Sequence, residues 1–134
     1  MEKRRRPVRR HAQALIAAVA LCGAAHACEL PAGTRVESAG FVLSYRTRPA
    51  AITLGEHFSL DYAVCPKAGA VMPATVKVDA WMPEHRHGMN YKASVTALGG
   101  GRFRAQGLMF HMPGRWEFLF EAGGERVTGS LQLE

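Results

Sequence analysis

The stretch Val76-Lys77-Val78-Asp79-Ala80-Trp81-Met82 places Val76, Val78, Ala80 and Met82 on one face of a period-2 pattern, and Pro83 stops it. A residue every second position along one side is the signature of a half-buried strand, since successive side chains of an extended chain point to opposite faces. Working outward, Phe58, Leu60, Tyr62 and Val64 share a face of a strand that ends at Cys65-Pro66. Trp116, Phe118 and Phe120 repeat the pattern after the turn Pro113-Gly114, and Val127, Gly129, Leu131 and Leu133 close the chain. Weaker strand candidates are 40–46, 51–54, 91–96 and 102–110. Turn residues separate them: Leu54-Gly55-Glu56, Pro66-Lys67-Ala68-Gly69, Gly99-Gly100-Gly101 and Gly123-Gly124.

Seven or eight short strands at this spacing, with no amphipathic helix, predict an all-β fold, an antiparallel β-sandwich of immunoglobulin-like type. A closed barrel is the competing architecture. In either, the loops at strand ends are where function is displayed.

The N-terminus reads differently. Met1-Glu2-Lys3-Arg4-Arg5-Arg6 begins a cationic run, a small apolar stretch follows over 12–25, and Ala25-His26-Ala27 ends it. A charged region, a short apolar region and an A-x-A site are the parts of a secretory signal peptide. The apolar run is shorter than the roughly 20 residues that span a bilayer. The expected division is therefore a signal peptide over 1–27 and one domain over 28–134, exported to the periplasm with no stable membrane insertion. Cleavage after Ala25 instead would leave His26 with a free α-amine, a chelating pair for Cu(II).

Removing 1–27 also changes the electrostatics. The full chain carries a net charge of +6. Six basic groups and one acidic group lie in the leader, so 28–134 carries +1. The high isoelectric point belongs to the targeting segment, and a nucleic-acid partner is not expected. Of three cysteines, Cys22 leaves with the leader. In an oxidising compartment Cys28 and Cys65 are most simply a disulfide; a lipid-modified Cys28 is the rival.

Two short segments concentrate the chemistry. Glu84-His85-Arg86-His87-Gly88-Met89 sets His85, His87 and Met89 at i, i+2 and i+4, and Leu108-Met109-Phe110-His111-Met112-Pro113 supplies Met109, His111 and Met112. Leu108 and Phe110 are expected to face the core, turning Met109 and His111 the other way. Both segments sit at strand-to-turn junctions, so a sandwich can bring them to one end. Imidazole serves several borderline metals, whereas thioether is soft and prefers Cu(I). The mixture favours copper over zinc, which more often recruits cysteine or carboxylate; Glu84 keeps zinc open. Met72 and Met82 read as core filler, and His57 as a surface residue.

The runs Asp79-Ala80-Trp81-Met82-Pro83-Glu84-His85-Arg86-His87-Gly88-Met89-Asn90 and Leu108-Met109-Phe110-His111-Met112-Pro113-Gly114-Arg115-Trp116 resemble the YtkA-like domain and the related FixH-like periplasmic domains. In those, one strand ends in Met-Pro-x-His-x-His-Gly-Met and a later one in a Met-Pro-Gly-x-Trp turn. The resemblance runs from about Ile52 to Leu133. It implies an immunoglobulin-like sandwich in the periplasm with a part in copper handling or cytochrome oxidase assembly. FixH-like proteins carry a retained membrane anchor, which the expected cleavage leaves this chain without.

The leading functional expectation is a copper-binding or copper-delivery module, with His85, His87, Met89, His111 and either Met109 or Met112 as ligands. Its partners would be the metal ion and a periplasmic or inner-membrane copper protein. The alternative is a metal-independent interaction domain contacting its partner through Trp81, Met82 and Met89. A blue-copper site needs a cysteine with His and Met just downstream, and Cys65 has no such histidine. No nucleophile motif frames a catalytic triad, so an enzyme is not expected.

Overall fold

The computed structural model describes residues 28–134. The signal-peptide reading, with Cys22 and His26, lies outside the described residues. Among the described residues nine strands follow one another: β1 Thr34–Glu37, β2 Phe41–Arg48, β3 His57–Pro66, β4 Val76–Met82, β5 His87–Gly88, β6 Ser94–Gly99, β7 Arg102–Met109, β8 Gly114–Ala122 and β9 Glu125–Leu133. They form two sheets, ordered β1-β2-β3-β7-β6 and β5-β4-β8-β9, with every pairing antiparallel. The chain crosses between sheets after β3, after β5 and after β7, which is the Greek-key connectivity of an immunoglobulin-like sandwich and excludes the barrel.

Alternation decides which side of each strand is dry. Val76, Val78, Ala80 and Met82 of β4 are buried and the residues between them are exposed. Trp116, Phe118 and Phe120 of β8 are fully buried, facing Phe58, Leu60 and Tyr62 of β3 across the core. Tyr62 ties the two layers: its hydroxyl donates to the Val76 carbonyl at 2.6 Å. Burial pushes the Tyr62 phenol up, so it stays a donor.

Cys28 and Cys65 form a disulfide with Cα atoms 5.6 Å apart, within the ordinary span of such bridges. The bridge occupies the thiol that a lipid would need. It lashes the segment ahead of β1 to the end of β3, and the Ser44 hydroxyl donates to the Pro31 carbonyl at 2.6 Å to hold it down.

Four expectations are corrected. Residues 51–54 are loop rather than strand, although Ile52 and Leu54 still pack on the core. The weak strand expected over 91–96 begins at Ser94 and runs to Gly99. Met72, expected in the core, is exposed, because it lies in the long loop between β3 and β4. Met82 is wholly buried, which bears out its reading as core filler and corrects only its place in the alternative contact surface with Trp81 and Met89. β1 and β5 have no counterpart among the strands expected from sequence.

Candidate metal centre

Two turns at one end of the sandwich build this site. The first is the β4–β5 hairpin, in which Met82 pairs with His87 and Trp81 with Gly88. Pro83 ends β4, and the loop closes when the Arg86 amide donates to the Met82 carbonyl at 2.9 Å. Arg86 sits at φ 55°, a left-handed conformation that side-chain-bearing residues seldom adopt. It stands between His85 and His87 and folds the backbone back, so that their ring centres lie 5.8 Å apart.

The second turn follows β7. Leu108 and Phe110 are buried as expected, and His111 emerges exposed before Pro113-Gly114 starts β8. Gly114 is required there: at φ 124° a Cβ would stand 2.8 Å from the Met82 terminal methyl. The close approach draws the β7–β8 turn against the root of the β4–β5 hairpin. His87 and His111 consequently lie with ring centres 5.1 Å apart.

Trp116 is the floor. It stacks on Phe110 at 4.2 Å, its Nε1–H donates to the Met112 carbonyl at 3.0 Å, and His87 and His111 stand edge-on to it at 6.0 and 5.6 Å. A large apolar ring beneath two imidazoles keeps solvent off one side of the pair. His87 is half-buried. Its Nδ1 lies 3.1 Å from the Gly88 carbonyl; a carbonyl only accepts, so this contact selects, for the neutral ring, the tautomer with Nδ1–H and Nε2 as the nitrogen free to bind a metal. This backbone bond is the arrangement that fixes the tautomer of a metal-ligating histidine.

The six sequence-predicted ligands divide into three groups. His85, His87 and His111 come together in a row with His87 in the middle. Met89 and Met112 flank them in sequence and pack their side chains, half-buried, against the core. Met109 is directed elsewhere: it pairs with His57 across the β3–β7 ladder, on the face opposite the buried Leu108. The Tyr91 ring lies edge-on to His57 at 5.2 Å. Glu84, the carboxylate that kept zinc open, is held by Arg115 at 2.7 Å, and that guanidinium lowers its pKa below the usual carboxylate range. Arg115 also binds Glu117 at 2.5 Å.

Two imidazoles on one ion, each bonded at about 2 Å, hold their ring centres roughly 4.5 to 6.5 Å apart, and both observed spacings fall in that window. Among the described residues, no three His, Cys, Asp or Glu side chains converge closely enough to enclose an ion as they stand. The arrangement is therefore a row of imidazoles over an indole floor, with two thioethers in the adjoining chain. Sequence missed the floor residue Trp116, the tether from Arg115 to Glu84 and the pairing of Met109 with His57. Only the first had a signal, the tryptophan two residues after Pro113-Gly114.

No curated protein and no solved structure matches the chain. The YtkA-like family profile matches residues 42–120, a span from β2 through most of β8 that includes both histidine turns. The chain belongs to the YtkA-like family.

Proposed function

We propose that this end of the sandwich captures copper and hands it on, as a carrier rather than an enzyme, with His85, His87 and His111 as the imidazole ligands. The observation that carries the reading is the position of His87, within 6 Å of both other rings with its tautomer set by Gly88. Met89 and Met112 are the thioethers available beside them, and soft sulfur next to imidazole favours Cu(I) over zinc. The engagement of Glu84 by Arg115 weighs against zinc in the same direction. Ligands drawn from two exposed turns suit exchange better than a closed thiolate cage. The expected setting is the periplasm, with delivery to a periplasmic or inner-membrane copper protein.

Isothermal titration of Cu(I) and of Cu(II) into the protein tests this. We expect one ion to bind more tightly than about 1 μM, that is, by more than roughly 8 kcal/mol. A His85→Ala/His87→Ala double variant should lose at least tenfold. Failure of both ions to bind at that level, or unchanged affinity in the double variant, contradicts the reading.

A metal-independent protein contact is the second reading, favoured by the exposure of Trp81 and Tyr91 near the same turns. It requires that partner binding survive chelation unchanged.

A further inference from the structure

The outer face of the five-stranded sheet carries a charge that the overall balance hides. Arg46, Asp61 and Arg104 are direct cross-strand partners on β2, β3 and β7. Asp61 receives Arg104 at 2.7 Å, Arg48 at close range and Arg46 at 3.8 Å. One carboxylate therefore faces three guanidinium groups, each about half exposed. Arg102 lines the same shallow depression, giving four cations to one anion around it in a domain whose net charge is only +1. Glu29 is the other acid near Arg102, across a neighbouring hollow.

Large exposed apolar side chains lie beside this depression and in the adjoining β3–β4 loop. Leu98 is 52% exposed and shares the arginine depression. Val71 is 83% exposed, and its neighbour Met72 reaches across to Gly101. All belong to the end formed by the β3–β4 and β6–β7 connections, the end opposite the histidine turns.

We propose that this face docks on an anionic phospholipid surface. Arginine forks suit phosphate oxygens, and exposed aliphatic groups beside them enter the headgroup–acyl boundary, the combination that holds a peripheral protein on charged lipid. An acidic protein partner would account for the arginines and leave the flanking Val71 and Leu98 without a role. The histidine turns, at the far end from these apolar side chains, remain open to solvent when the face is occupied.

Co-sedimentation tests it, with vesicles of pure phosphatidylcholine against vesicles of equimolar phosphatidylcholine and phosphatidylglycerol. The protein is expected to pellet with the phosphatidylglycerol vesicles only and to be released as salt rises. Arg46→Gln/Arg102→Gln leaves Arg48 and Arg104 on Asp61 and should weaken partition on the order of twenty-five-fold, from about fivefold per charge near the surface. Val71→Ser/Leu98→Ser changes only exposed side chains, and it should weaken partition without altering the thermal midpoint. Both pairs leave the cationic run at the N-terminus untouched. Equal binding to both vesicles, binding unchanged in both variants, or no binding to either vesicle overturns the proposal; the last is the result an acidic protein partner would give.

Discussion

Trp116 joins the core to the site more directly than any other residue. Its indole is fully buried, stacks on Phe110 and orders the β7–β8 turn through Met112. Trp116→Phe keeps most of the packing but strands the Met112 carbonyl. A cost of about 1–2 kcal/mol is expected, whereas Trp116→Ala should cost about 3–5 kcal/mol; urea unfolding measures both. His87→Ala, removing the middle ring, should lower copper affinity more than His85→Ala or His111→Ala, and His57→Ala should leave it unchanged. A competition titration against a Cu(I) chelator ranks the four. The histidines were legible in sequence because ligand chemistry is carried by residue type. The separation of Met109 from the row was not, because it depends on the register that sets His57 opposite Met109, and that pairing joins residues far apart in the chain.

Among elements, the strands that sequence revealed are those buried on one face only. β4, β8 and β9 alternate because one side of each meets the core and the other is more open to water, and β3 does so up to Tyr62, beyond which Ala63, Val64 and Cys65 are all buried. β1 lacks that signal: only Val36 among its four residues is partly buried, and its place comes from the ladder to β2. The 51–54 segment errs the other way, since Ile52 and Leu54 are apolar for packing without any ladder. Gly114 marks where an element boundary sets the site. Gly114→Ala forces a Cβ toward Met82 at a positive φ and should destabilise by about 1–3 kcal/mol, with the histidine turns displaced. On β3, Arg104 and then Arg48 hold the Asp61 carboxyl below the usual carboxylate range. A carboxylate favoured in the folded state stabilises above its unfolded pKa of about 4 and loses that contribution as pH falls through the lower folded value. Thermal midpoints taken downward from pH 5 should therefore fall more steeply for the wild type than for Asp61→Asn.

For the whole molecule, the disulfide and the two-sheet closure define what must persist for the site to exist. The Cys28–Cys65 bridge spans 37 positions, and closing a loop of that length removes unfolded-state entropy worth about 4 kcal/mol. Cys28→Ser/Cys65→Ser should lower unfolding free energy by up to that amount, read by urea denaturation. The histidine turns, at the other end of the sandwich, should keep their geometry. The sandwich brings together rings from two turns that sequence could only place at strand ends. The central claim is that His85, His87 and His111 act as one copper site, and ring-proton and ring-nitrogen NMR during titration with diamagnetic Cu(I) tests it most directly. The three imidazoles are expected to shift together and saturate at one equivalent while His57 stays in place; rings that do not move, that saturate independently, or that move no more than His57 would contradict it.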